Sequence, residues 1–119
     1  MERDKERIIK NSNESIFIEL LPVLDDMENA MKRVNNSEER KGIEMIFNNF
    51  FKILEKNGLK RIDAFGKKVD VYYHDAIMKE KSNKEDRTIL EEIQAGYMLN
   101  DKVIRHSKVK ISEKGDNNG

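Results

Sequence analysis

The chain has 119 residues, 39% of them charged and 37% hydrophobic, and its 23 basic and 23 acidic side chains cancel. This length holds one ordinary domain or two very small ones around a modest core, and balanced, interleaved charge argues against a tracker of nucleic-acid phosphates, which carries a basic excess. No apolar run approaches the roughly 20 residues of a membrane span, no signal-peptide core follows Met1, and zero cysteines exclude disulfides, thiol catalysis and Cys-based zinc sites. The expectation is a cytoplasmic protein with no nucleic-acid or membrane partner.

The first half reads as helix. Leu20, Leu24, Met27, Met31 and Val34 recur at alternating steps of four and three, the stripe of an amphipathic helix. Ile9 and Ile16 continue it upstream at heptad distance, although Asn11, Ser12 and Asn13 weaken helix propensity there. Pro22, the single proline, lacks an amide hydrogen and disfavours helical geometry at Leu21, which predicts a helix break near residues 20–22. Asn35, Asn36 and Ser37 form a turn, with Asn36 placed to cap a second helix and Glu39 at its third position.

In that second helix Ile43, Phe47, Phe50 and Leu54 repeat the spacing, and Ile46, Phe51 and Ile53 widen the apolar face. Asn57 and Gly58 form the stop, with Gly58 suited to the left-handed conformation. One hairpin leaves such broad apolar faces uncovered, and pairing two hairpins into a four-helix bundle covers them. A homodimer is therefore expected, with Leu20, Leu24, Met27, Met31, Ile43, Phe47, Phe50 and Leu54 at its dimerisation face.

After Gly58 the period changes. Strand-like runs are predicted at 75–79, 88–97 and 102–111, the last with Val103, Arg105, Ser107, Val109 and Ile111 on one face. Asn100 and Asp101 read as a tight hairpin turn because both tolerate positive φ. Residues 82–86 form a polar loop, and residues 113–119 carry nothing to bury and are expected to be a disordered tail. The fold class is α+β, helices first and a small β unit second.

Chemistry-bearing constellations are sparse. His74 and His106 lack an HxxxH-type partner, and no spacing rule gathers Asp70, His74 and Asp75, so no metal site is expected. Ser107 adjoins His106, but there is no nucleophile elbow and adjacent strand residues face opposite sides. The pairs Glu91-Glu92 and Asp25-Asp26 are neighbours in sequence, whereas a pKa-splitting pair must converge in a buried cleft. The six glycines are scattered singly, so no phosphate-cradling loop is present. No cofactor and no enzymatic activity are expected. Met27, Met31 and Met45 fit core filling better than an adaptable groove. Lys102 and Arg105 near the hairpin tip read as ordinary loop charges on composition alone.

The stretch from Gly96 to Ile111, GYMLNDKVIRHSKVKI, says more. It resembles the signature of the GrpE family of nucleotide exchange factors: Gly, an aromatic, three variable residues, a turn residue, an aliphatic-Arg pair, then Ser/Ala-x-Val-x-aliphatic. Every fixed position is met. Upstream, residues 69–77 (VDVYYHDAI) are similar to the family's Phe-Asp-Pro-x-x-His-x-Ala segment, residues 19–25 (ELLPVLD) to its helix-break motif, and residues 42–45 (GIEM) to its second bundle helix. The resemblance covers roughly residues 14 to 112. Val69 and Val71 replace the usual Phe and Pro, and Asn29 stands where arginine is common before Ala30. Only about 20 residues precede Pro22, against a much longer paired helix in the family, so a shortened chain or a naturally short member is expected.

The resemblance implies a dimeric four-helix bundle built from a helical region over residues 1–57 (helix to about 20, then a helical hairpin), with a β-wing over 58–112. It implies that the wing grips the nucleotide-binding domain of a DnaK-type heat-shock chaperone, opens its cleft and promotes ADP release. Carried onto this chain, the chaperone-binding residues are Lys102 at the hairpin, with Ile93, Leu99, Val109 and Ile111 as wing positions that pack or touch, and Arg105 as a residue that grips the partner or braces the wing. His74 and Ala76 are expected to hold the wing's own loop, and Gly96 to answer a demand of backbone geometry. The alternative is a helical coiled-coil or scaffold dimer with no exchange activity.

Overall fold

The computed structural model describes residues 2–115, with side chains from residue 13 onward. The chain divides into two compact units between Leu59 and Lys60.

The first unit is two helices, α1 (Glu2–Arg33) and α2 (Ser37–Lys56). At 1.5 Å per residue they are about 48 and 30 Å long. The break expected near residues 20–22 is absent: Pro22 lies inside α1 with its ring at the surface. A proline there forfeits one backbone bond and costs about 3 kcal/mol. Phe17, Leu21 and Leu24, at i, i+4 and i+7, form a buried face that runs across the proline and offsets that cost. The α1–α2 turn follows the expected chemistry. The Asn36 side chain accepts the Glu38 and Glu39 amides at 2.9 and 3.1 Å, and Arg40 reaches back to the Val34 carbonyl, its Nε at 3.1 Å. At the other end of α2, Gly58 takes φ 105° and donates to the Glu55 carbonyl at 3.0 Å.

Among the described residues, the chain from Leu59 onward carries six strands in two three-stranded sheets. Their ranges are β1 (Leu59–Arg61), β2 (His74–Ser82), β3 (Ile89–Gln94), β4 (Tyr97–Leu99), β5 (Lys102–Arg105) and β6 (Ser107–Lys114). One sheet runs β1-β4-β5, the other β2-β6-β3. In the latter, β6 is central, parallel to β2 and antiparallel to β3. Its inward residues Val109 and Ile111 pack with Ile89 and Ala64, and Val69 closes the cluster.

Two expected strands are each two strands here. The run 88–97 ends β3 at Gln94 and resumes as β4 at Tyr97, and the run 102–111 breaks at His106 between β5 and β6. At both breaks the chain passes from one sheet to the other, so the single alternating face expected from Val103 to Ile111 is divided. Ser107, Val109 and Ile111 are buried in β6, while Val103 and Arg105 are half-buried in β5. The two crossings touch. A Cβ on Gly96 would stand 2.4 Å from the Ser107 amide nitrogen and 2.8 Å from the His106 carbonyl carbon. Period-two patterning cannot reveal this, because residue alternation continues through a change of sheet.

The first run, expected at 75–79, extends over all of β2. The tail begins later than expected: Glu113 and Lys114 pair with Lys81 and Ser82 of β2 and are strand, ordered by the ladder without burying side chains. Residues 116–119 of that expected tail lie outside the described residues. Asn100 and Asp101 turn the β4–β5 hairpin with φ 49° and 69°, the two positive values of a type I′ turn.

Candidate interaction surface

The hairpin tip presents Lys102 to solvent, opposite Leu99 in the β4–β5 register. Beside it lies a shallow groove of about 500 Å³ lined by Val71, Tyr72, Lys102, Val103 and His106. Val71 and Tyr72 are 79% and 58% exposed, a large apolar surface for a loop tip. The loop that carries them is well tied although Val71 replaces a proline. The Asp70 carbonyl accepts the Tyr73 and His74 amides at 3.0 and 2.8 Å, and the Asp70 carboxylate accepts the Tyr72 amide at 2.9 Å. His74 Nδ1 in turn accepts the Asp70 amide at 2.9 Å.

The remaining wing residues separate by burial. Arg105 is committed within the wing: its Nε and Nη2 donate to the Ala95 carbonyl at 2.9 and 2.6 Å, and its guanidinium carbon lies 5.4 Å from the Tyr97 ring centroid. These bonds hold the Ala95–Gly96 crossing against β5, which is a brace. Leu99, Val109 and Ile111, expected as positions that pack or touch, are no more than 5% exposed and pack. Ile93 is 42% exposed and offers surface. Of the six residues carried over, Lys102 and Ile93 are the exposed ones.

On the helices, Leu24 and Leu54 are buried within the single chain, while Leu20, Met27, Met31, Ile43, Phe47 and Phe50 are half-buried. Ile16, Val23, Ile46 and Ile53 are largely exposed. Phe47 and Phe51 stack at 5.9 Å between centroids. The residues sequence reasoning passed over are Phe17 and Leu21, which do the burying next to Leu24, and Tyr72, which walls the groove. Phe17 and Leu21 were legible as an i, i+4 pair with Leu24; Tyr72 carried no pattern.

The ionisable groups do not converge. Glu91 pairs with Lys110 at 3.0 Å and Glu92 with Arg61 at 2.6 Å, so the two adjacent carboxylates are drawn to different partners. Ser107 is buried while its neighbour His106 is exposed. A second cleft of about 360 Å³ holds Lys60, Arg61, Lys67 and Lys68. Most of that charge is answered, by Glu92, by Asp63 at 3.6 Å from Lys67, and by Glu85 at 3.0 Å from Lys68. The Lys68 contact holds the Glu85 carboxyl below its ordinary range. Among the described residues no three His, Asp or Glu side chains are placed to hold a metal ion, and no helix is long and apolar enough to cross a membrane.

Comparison with known proteins agrees with this architecture. The GrpE family model matches residues 1–113. Protein GrpE of Chloroherpeton thalassium is 44% identical over 121 residues, covering 94% of this chain and 59% of its own. Protein GrpE of Methanothermobacter thermautotrophicus is 42% identical, covering 96% and 65%, and Protein GrpE of Thermotoga maritima is 38% identical, covering 94% and 66%. The chain thus spans about three-fifths to two-thirds of the length of these curated relatives. A match running over nearly all of the chain, with its signature on the hairpin and sheet crossings just described, places the chain in the GrpE family.

Proposed function

We propose that this chain is a co-chaperone that acts as an adenyl-nucleotide exchange factor. It works as a homodimer in which the helices pair into a four-helix bundle and the wing binds the nucleotide-binding domain of a DnaK-type chaperone in the cytoplasm. The observation that carries the reading is the exposed Lys102 next to the Asn100-Asp101 type I′ turn and beside the apolar groove of Val71, Tyr72 and Val103. A basic residue next to an apolar depression suits a partner surface with a carboxylate beside an apolar side chain.

Exchange requires no bond to be made or broken. It requires that the factor bind the open, empty chaperone better than the closed, ADP-filled one, and linkage then makes ADP and factor weaken each other by the same factor. No catalytic residue, metal or cofactor enters that account. The bundle reading is supported by Ile16, Val23, Ile46 and Ile53, large apolar side chains that a single chain leaves at its surface.

The test is stopped-flow release of fluorescently labelled ADP from a DnaK-type chaperone, with and without the full chain. Acceleration that saturates with factor concentration is expected. Release unchanged at saturating factor would leave the scaffold dimer as the reading.

A further inference from the structure

His74 is 6% exposed at the start of β2 and closes the loop that carries the groove wall. Because its Nδ1 accepts the Asp70 amide, the ring is neutral and its proton sits on Nε2. Nε2 is itself buried and finds no hydrogen-bond partner among the described residues. The neutral imidazole is therefore an acceptor that one backbone N–H depends on. A second proton on Nδ1 would turn that acceptor into a donor and set two N–H groups head to head across 2.9 Å. It would also place a cation where water is excluded.

The charged surroundings of His74 are divided. Asp70 on its own loop and Glu92 on β3 favour the cation, while Lys67 and His106 oppose it. Burial is the largest influence, and the net effect holds the imidazole below its ordinary value of 6.5. The sign follows from linkage. A histidine whose folded pKa is depressed binds fewer protons folded than unfolded. Its contribution is complete above about 6.5 and is lost as pH falls through that value toward the folded one.

What a released loop would disturb is local. Val71 and Tyr72 sit between Asp70 and His74 and supply the groove wall facing Lys102, Val103 and His106. The β2–β6 ladder touches the loop only at its first rung, where the Ser107 amide donates to the Tyr73 carbonyl and His74 stands opposite Ser107; from Asp75 to Ser82 it runs on without depending on the imidazole. We propose that His74 is a proton-operated latch: neutral, it holds the 70–74 loop closed with Val71 and Tyr72 in the groove wall; protonated, it frees the Asp70 amide and the wall opens while the sheets persist. The inference concerns the wing alone and stands independently of nucleotide exchange.

The experiment is NMR on the full ¹⁵N-labelled chain from pH 8 to pH 5, following the ring nitrogens of His74 and the hydrogen-exchange protection of the 70–74 amides. The expected result is a ring that is the Nε2–H tautomer at pH 8 and titrates below 6.5. Protection at Asp70, Tyr72 and Tyr73, corrected for intrinsic exchange, should fall about tenfold per pH unit between the unfolded and folded pKa values, with the β6 amides beyond Ser107, whose own amide donates to the Tyr73 carbonyl, unaffected. His74→Asn puts a non-titrating carbonyl oxygen near the Nδ1 position, so its protection should stay flat with pH, while His106→Asn should leave the transition in place. A His74 pKa at or above 6.5, or a ring that titrates without any change at Asp70 and Tyr72, overturns the latch. So does the same loop transition persisting in His74→Asn. The ring and amide signals of the unmodified chain decide the matter even if that variant folds poorly.

Discussion

Lys102, Arg105 and Gly96 lie within ten residues of one another and do three different jobs. Lys102 is a surface charge at a turn, so Lys102→Glu should weaken chaperone binding by about 1–3 kcal/mol if it meets a carboxylate at a partly dry interface. The melting temperature should barely move, since an exposed turn charge contributes little to folding. Val109→Asp is the contrasting variant. Val109 is fully buried in the β6 core, and an unpaired carboxylate there should cost at least about 3–5 kcal/mol and remove fold and exchange together. Unaltered ADP release with Lys102→Glu at limiting factor would remove the hairpin tip as the grip. Gly96 gives a sharper case. Its Cβ would meet the Ser107 backbone at 2.4 Å, a contact that no side-chain rotation relieves. Gly96→Ala should therefore destabilise the wing by about 1–3 kcal/mol or more, read as a lower denaturant midpoint. This need comes from close approach between two crossings, not from a positive φ.

Among the elements, α1 is the one whose local and tertiary preferences conflict. Pro22 costs the helix a backbone bond, and the buried face of Phe17, Leu21 and Leu24 overrides it. Pro22→Ala should then raise thermal stability, with an upper bound near 3 kcal/mol, because the ring is exposed and its loss removes no buried area. Unchanged or lowered stability would mean that Pro22 serves a packing role its exposure does not reveal. In the wing, strand length is set by neighbours. β2 persists through Lys79, Glu80 and Lys81, residues with little to bury, because β6 pairs with them residue by residue. The same ladder carries β6 out to Lys114, past the point where side-chain patterning stops.

At the scale of the molecule, the helices carry apolar side chains that a single chain leaves at its surface. Ile16 and Val23 on α1, with Ile46 and Ile53 on α2, are 42–63% exposed in the single chain. Sedimentation at micromolar concentration should give about twice the 14.0 kDa chain mass. Phe50→Asp, at a half-buried position on α2, should lower that mass to the monomer or unfold the helices. A stable, well-folded monomer of the unmodified chain would defeat the bundle.

The amino-acid order by itself determined the features that rest on short-range physics. These are the helical character of residues 20–34 and 43–54 from four-three spacing, the Asn36 cap, the Gly58 stop, the Asn100-Asp101 turn and the family signature around Gly96. Each depends on groups a few residues apart, so pattern suffices. Tertiary structure decided whether α1 survives Pro22, where β3 hands over to β4 and β5 to β6, that Arg105 binds the Ala95 carbonyl, and that His74 holds its loop through the Asp70 amide. Those outcomes depend on partners brought together by folding: Gly96 on Ser107, and β2 on β6 across some thirty residues. Side-chain alternation is blind to which sheet a strand joins, and propensity is blind to the buried area that can outweigh it.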